Sequence, residues 1–330
     1  MRRRDLLAGL LTTTMASALR AAEPNKVYRL AACTHLGIDR FSIPGTAFPR
    51  IFDRLSQLGY SEGKNLIVDR YAAEAHPERY PEIARKAVQA KPDVIVLSFD
   101  NQLISGVAKE TSTIPIVAGI PSLDAGLVQN IARPEGNITG IAADAGIEMQ
   151  GKHLDILRQA IPSASHVAYL SNRYDWEGAW GHAIVEAGQA SGISIVGIPI
   201  DHSAEEDYRR AFETMARQSV DALMFNGLGA NFTHRELIVE LALKYRLPSI
   251  CWWPDLVRNG QALLAYAPDY DAYPEPWADM IGKILKGARV ADIPVEQPTK
   301  FILAINLKTA KALGLEIPAS LLARADEVIE

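Results

Sequence analysis

Cysteine is almost missing from this chain: 330 residues carry two, Cys33 and Cys251, each closing an apolar run in a different half of the sequence. That excludes a disulfide-built scaffold, and two buried thiols are the simpler reading than a bridge. No Cys/His spacing of a zinc site occurs. An excess of basic charge is missing too. The formal charge of -5 argues against a nucleic-acid partner, which would demand a basic stripe. Beyond the N-terminal segment no apolar run approaches the ~18 residues of a membrane span. The seven histidines are scattered, with neither a Gly-x-Ser-x-Gly elbow nor a His-Glu-x-x-His pair among them. Gly227-Leu228-Gly229-Ala230-Asn231-Phe232 stands where a dinucleotide fingerprint would, but Phe232 fills the third glycine place. It reads as a tight turn into a helix. No catalytic residue, metal or cofactor is expected, and the chain is read as something other than an enzyme.

What is present is an ordinary globular composition, 48% hydrophobic and 22% charged, long enough for about two domains with a large core. Arg2-Arg3-Arg4-Asp5-Leu6-Leu7 precedes a weakly apolar run from Ala8 to Ala18, with small residues at Ala16-Ser17-Ala18 and Ala21-Ala22. A basic start, a short apolar core and small residues describe an export signal over 1–22. The paired arginines suit the twin-arginine route, with an ordinary Sec signal as the alternative. The mature protein is expected to begin near Ala22 and to be periplasmic.

The stretch from Ile114 to Ile141 organises the rest. Ile116 to Ile120 is a short apolar run closed by Pro121, the pattern of a buried strand. Leu127, Val128 and Ile131 share one helical face, stopped by Arg133-Pro134, and Asn137 to Ile141 is a last short strand. Strands alternate with helices before this stretch, at Val27–Cys33, Asn65–Tyr71 and Asp93–Ser98, with helices over 48–58, 77–90 and 102–111. Gly59 is placed as the C-terminal cap of the first helix. Alternation resumes after it, with a helix over 148–161 and strands at His166–Ser171, Ile193–Ile200, Asp221–Phe225, Pro248–Trp252 and Ala262–Tyr266. Helices over 176–191, 204–218 and 233–245 fall between, the second opening on the capping box Ser203-x-x-Glu206. Repeated strand–helix units predict two doubly wound parallel sheets of five strands each. The helix over 277–285, the strand Lys300–Ile305 and the helix over 307–313 are expected to return to the two lobes.

Ligands of open parallel sheets sit beyond the carboxyl ends of the strands. Residues there in the first lobe are Thr34, His35, Phe99, Asp100, Asn101, Ser122 and Asp124. In the second they are Asn172, Arg173, Tyr174, Trp176, Asn226, Trp252, Trp253, Tyr266 and Tyr270. Any one ring is more simply a core residue, but several at strand ends suit a flat or apolar ligand. Arg173 could hold a carboxylate, and Asp100 or Asp124 an amine, although each charge taken alone is more simply a solvated loop residue.

The C-terminal third carries Lys283-Ile284-Leu285-Lys286-Gly287-Ala288, Ile293 to Phe301 (Ile-Pro-Val-Glu-Gln-Pro-Thr-Lys-Phe) and Ile305 to Leu315 (Ile-Asn-Leu-Lys-Thr-Ala-Lys-Ala-Leu-Gly-Leu). This resembles the closing signature of the ABC transporter substrate-binding protein family, the group that includes tryptophan- and other aromatic amino-acid-binding members. Leu58 to Leu66, Ser112 to Val117 and Arg133 to Gly140 resemble the same family earlier in the chain. The resemblance implies a type I periplasmic-binding-protein-like α/β fold, two lobes joined by a multi-strand hinge. Its crossover pattern implies one lobe of 24–141 plus 270–298 and another of 142–269 plus 299–330. Departures fall at the strand ends. Asp100-Asn101-Gln102-Leu103 stands where members often carry Gly-Thr-Pro, Ile120-Pro121-Ser122 replaces Gly-Asp-Pro, and Asn172-Arg173 replaces Asn-Pro.

The expected function is that of an extracytoplasmic receptor, a monomer that captures an aromatic or flat carboxylate or amino acid and hands it to an ABC permease in the inner membrane. A periplasmic sensor serving a membrane signalling receptor is the alternative. An exported enzyme, or a repressor of the same fold lacking DNA-binding helices, fits the residues less well.

Overall fold

The computed structural model describes residues 26–330 apart from Gly45, Asp124, Ala125, Asp144, Ala145, His202, Ser203 and Leu228. The expected export signal, residue Asp124 and Ser203 of the expected capping box therefore lie outside the described residues.

Short apolar runs separated by amphipathic helices give a first sheet of β1 (Tyr28–Thr34), β2 (Leu66–Ala72), β3 (Val94–Leu97), β4 (Ile116–Ile120) and β5 (Ile138–Ala142). Its order is β2-β1-β3-β4-β5, every pairing parallel. Alternation along β1 assigns its two faces. Leu30 and Ala32 join a core with α1 (Ala47–Gln57), whereas Ala31 and Cys33 join a core with α2 (Tyr80–Gln89) and α3 (Asn101–Glu110). A sheet buried on both faces needs strands apolar at nearly every position, and β3, β4 and β5 are buried throughout. Gly59 takes φ +94 just past α1, where Tyr60 N–H reaches back to Leu55 O at 2.8 Å, the expected left-handed cap.

The chain then runs through α4 (Met149–Ala160), β6 (His166–Asn172), α5 (Arg173–Glu177), α6 (Ala179–Ser191), β7 (Ser194–Ile200), α7 (Glu205–Arg217) and β8 (Ala222–Phe225). It continues through α8 (Gly229–Thr233), α9 (Arg235–Lys244), β9 (Ser249–Cys251), α10 (Pro254–Arg258) and β10 (Leu264–Pro268). After α11 (Pro274–Leu285) come β11 (Phe301–Asn306), α12 (Leu307–Leu313), α13 (Ala319–Leu322) and β12 (Glu327–Ile329). The second sheet has seven strands in the order β12-β11-β10-β9-β8-β6-β7: the five expected before Pro268, the expected tail strand as β11, and the unforeseen β12. β11 pairs antiparallel with β10 and is flanked by the short β12, so the tail widens this sheet.

Helix α11 leaves the second lobe and packs on the first beside α1. Trp277, Met280 and Ile281 enter the core that holds Leu30, Trp277 Nε1 donates to Val117 O at 3.4 Å, and Arg54 pairs with Asp279 at 2.9 Å. Residues 293–296 then run along β5. Ala142 N–H donates to Glu296 O at 2.8 Å and Glu296 N–H to Gly140 O at 2.9 Å, before the chain enters β11 in the second sheet.

Three local expectations differ from the structure. Leu127, Val128 and Ile131 form no helix; they pack individually against the α2–α3 core. The five residues 127–131 are too few to repay helix nucleation, and Gly126 at φ +69 turns the chain ahead of them. The helix expected over 176–191 is divided at Gly178 into α5 and α6, and the one over 233–245 at His234 into α8 and α9. Helix α7 starts at Glu205, with the Asp207 carboxylate accepting the Ala204 N–H at 3.2 Å.

Candidate functional site

The carboxyl ends of the two sheets face each other. The His35 ring, just past β1, lies 6.4 Å from the Phe232 ring of α8, an edge contact between lobes that share no strand. In the first lobe Thr34 is buried and its hydroxyl accepts the Leu36 N–H at 3.1 Å, turning the chain. His35 donates its N–H to Ser98 Oγ at 3.2 Å, and its Nδ1 lies 2.9 Å from the same hydroxyl. Burial lowers the His35 pKa; Asp100 pulls it up and Arg40 pushes it further down. The imidazole is therefore held neutral, a ring surface rather than a charge.

Phe99 lies over Gly119, where an added Cβ would meet the ring at 2.8 Å. Its other neighbours are Trp277 at 5.3 Å and Tyr273 at 6.1 Å, and Tyr273 in turn meets Tyr270 edge-on at 5.6 Å. Asp100 caps α3: Oδ1 accepts Leu103 N–H at 2.7 Å and Oδ2 accepts the Tyr80 hydroxyl at 2.9 Å. Both oxygens are thus used by the fold, which explains the residue without a ligand. Asn101 Oδ1 is buried with no hydrogen-bond partner, and Ser122 is buried.

In the second lobe Asn172 caps α5, its Oδ1 accepting Asp175 N–H at 2.7 Å and its Nδ2 donating to Asp175 Oδ2 at 2.7 Å. Asn226, fully buried, donates to the same Asp175 oxygen at 2.6 Å. Burial raises the Asp175 pKa, and the Asn172 and Asn226 amides partly offset it. Trp253 packs on Phe225 and on Phe232 at 5.7 and 5.9 Å. Arg235 lies over Phe232 at 4.6 Å. Trp252 stacks on His153 at 4.3 Å, and Tyr266 meets that imidazole at 5.8 Å and stacks on Phe301 at 5.5 Å.

Three of the expected residues sit elsewhere. Arg173 is exposed and already paired, Nε to Asp201 at 2.5 Å and Nη1 to Glu177 at 3.3 Å. Its charge is met without a ligand carboxylate. Tyr174 is 86% exposed. Trp176 covers Gly197 in the edge strand β7, where a Cβ would lie 2.1 Å from the indole. Phe232 and His153 are not among the expected residues, and Asp175, inside the strand-end span from Asn172 to Trp176, is not singled out there; Phe232 is the one that meets a first-lobe residue among the described contacts. Two open hollows of about 640 and 630 Å³ lie apart from this gap, each lined by one lobe alone, along 176–189 and along 88–114. Among the described residues no group of His, Cys, Asp or Glu is placed to hold a metal, and no helix is long and apolar enough to cross a membrane.

Two parallel-sheet α/β lobes with opposed strand ends define the periplasmic-binding-protein architecture, and solved structures share it over most of the chain. Residues 47–329 match the model of the family described as ABC transporter substrate binding protein, and the chain belongs to that family. Its members bind small solutes rather than transform them and present them to ABC permeases. A curated relative, the tyrosine-binding protein of Clostridioides difficile, is 23% identical over 265 residues, 79% of this chain and 74% of its own. A conserved domain protein from Vibrio cholerae superposes with a TM-score of 0.80 at 24% identity, over 92% of this chain and all of its own. An ABC domain in complex with L-Trp from Streptococcus pneumonia also gives 0.80, at 20% identity and with the same coverage.

Proposed function

We propose that this protein is the periplasmic solute-binding component of an ABC importer and takes an aromatic amino acid between its lobes. The lobes in this reading are 24–141 with 270–298 and 142–269 with 299–330, and residues 1–22 are an export signal. The observation that carries the ligand class is the ring surface on both sides of the gap. His35 meets Phe232 across it, and in this reading Phe99 backs the first ring surface and Trp253 and Trp252 the second. A planar side chain between such rings buries apolar area and gains edge or offset stacking from both. The tyrosine- and tryptophan-binding relatives support the same class.

Contacts to both lobes exist only when the lobes are close, so the ligand draws a hinge equilibrium toward closure, and the closed outline is what a permease recognises. No bond is made or broken. Thermal unfolding of the purified protein with L-tryptophan, L-tyrosine, L-phenylalanine, benzoate, sugars and metal complexes tests the class. A ligand at about 100 times its Kd adds about 2.7 kcal/mol to stability, a clear rise in midpoint. The expected hits are the aromatic amino acids; hits confined to sugars or metal complexes would discard the reading.

A further inference from the structure

Asp175 offers one oxygen held by the fold and one left open. It is half-buried on α5, directly after β6. Its Oδ2 receives two amide donors, Asn172 Nδ2 at 2.7 Å and Asn226 Nδ2 at 2.6 Å, while Oδ1 has no partner among the described residues. Arg173, two positions away, is committed to Asp201 and Glu177. A half-buried carboxylate with one oxygen fixed and the other open can accept a ligand donor without rearrangement.

The support behind Asp175 is unusually complete. The Tyr208 hydroxyl donates to Asn231 Oδ1 at 3.0 Å, Asn231 Nδ2 donates to Asn226 Oδ1 at 2.7 Å, and Asn226 Nδ2 donates onward to Asp175. Asn231 Nδ2 is also within 3.1 Å of Leu170 O, which anchors the chain of bonds to β6. Every step points the same way, each amide accepting from behind and donating forward. An ionised carboxylate only accepts, so the polarity of the whole relay suits Asp175 in its charged form. Asp100 in the opposite lobe is the contrast: there both oxygens are consumed by a cap and a tyrosine. At Asp175 two amides, from the ends of β6 and β8, hold one oxygen and leave the other without a partner among the described residues.

We propose that Asp175 is the seat for a protonated amine on the ligand, with Asn172, Asn226, Asn231 and Tyr208 as its positioning residues. The ligand is then an ammonium-bearing solute, a zwitterionic amino acid or an amine, and neither a sugar nor a simple carboxylate. A neutral hydroxyl could also meet Oδ1, but a charge-assisted bond is about twice as strong as a neutral one. This inference rests on the reading of the interlobe gap as the ligand site.

Isothermal titration with matched probes tests it. The aromatic set is L-tryptophan, tryptamine and 3-indolepropionic acid; the aliphatic set is L-leucine, isoamylamine and 4-methylvaleric acid; glucose and myo-inositol complete the panel. The expected result is that amine-bearing probes bind, that the desamino acid of the same set is weaker by about 100-fold, and that the sugars do not bind. Asp175→Asn is expected to lose about the same factor for the amine-bearing probe and to stop discriminating it from its desamino partner. Should that variant fail to fold, Tyr208→Phe, remote from the gap, is expected to weaken amine-bearing probes several-fold and leave desamino probes unchanged. A desamino acid or sugar bound as well as an amine, an Asp175→Asn or Tyr208→Phe protein with unaltered amine affinity, or no binding by any amine-bearing probe overturns the proposal. Binding of the aliphatic set alone, lost in Asp175→Asn, would keep the ammonium seat and remove the aromatic reading. Binding of indolepropionate alone, retained in Asp175→Asn, would do the reverse.

Discussion

His153 shows how much a single buried side chain can tell about this lobe. Its ring is sandwiched in the second lobe between Trp252 and Tyr266, with Nδ1 2.9 Å from Met149 O. Burial pulls its pKa down to about 4, against the opposing effect of the Met149, Tyr266 and Cys251 carbonyls. A folded-state pKa below the unfolded value near 6.5 means that the unfolded chain binds the proton first. Stability is therefore full above about pH 6.5 and falls as pH drops toward 4, by up to roughly 3 kcal/mol at about 1.4 kcal/mol per unit. Phenylalanine in its place keeps a ring against Trp252 and cannot titrate. Urea unfolding at pH 7 and pH 4.5 should show that His153→Phe has lost most of this pH dependence; an unchanged dependence would place the proton uptake elsewhere. The same scale shows what the sequence conceals. Asp175 could not be picked out because its distinguishing property is how its two oxygens are used, and Arg173 two residues earlier looks like the obvious partner until the structure gives it to Asp201 and Glu177. Phe232 likewise appears in the sequence only as the residue that breaks a glycine pattern.

At the scale of elements, α11 is the helix that crosses from one lobe to complete the other. It is contributed by the chain after it has completed β10 of the other sheet, yet its apolar face finishes the core over β3 and β4. Trp277 is 1% exposed, so its truncation to alanine leaves a cavity rather than a solvated gap. Trp277→Ala is expected to cost about 3–5 kcal/mol in urea unfolding and to loosen Phe99, which rests on that indole. A loss below about 1 kcal/mol would mean the helix is not integral to the lobe. Elements of this kind were legible in advance because a strand covered on both faces must be apolar throughout, and Val94–Leu97 or Ile116–Ile120 has no other plausible use. The edges were not. β12 is three residues with an exposed valine at its centre, too short to announce itself, and the apolar triplet Leu127, Val128 and Ile131 mimics a helical face while serving as separate plugs.

At the scale of the molecule, three chain segments pass between the lobes and are tied to one another. The Tyr273 hydroxyl donates to Ala143 O at 3.4 Å, linking the first passage to the second, and Asp269 N–H donates to Lys300 O at 3.0 Å, linking the second to the third. Lys300 Nζ adds a pair with Asp269 at 2.8 Å, exposed on the lysine side and worth little by itself. Tied strands of this sort allow bending about a common axis and resist independent sliding of the lobes. The partition into two sheets followed from the alternation of strands and helices. How closely the sheets approach did not, because the His35–Phe232 contact joins residues from separate lobes that no local pattern relates.

The central claim is that a ligand holds these two lobes together, and a distance across the mouth of the gap tests it most directly. Ile38 and Tyr174 are exposed just past β1 and β6, and burial raises the pKa of both native thiols, Cys251 to about 12, so labels would go to cysteines introduced at the two exposed positions. Pulsed spin-label measurements on Ile38→Cys/Tyr174→Cys should give a broad distribution without ligand that becomes shorter and narrower when L-tryptophan or L-tyrosine is added. An unchanged distribution under saturation by an amino acid that titration shows to bind would contradict the account.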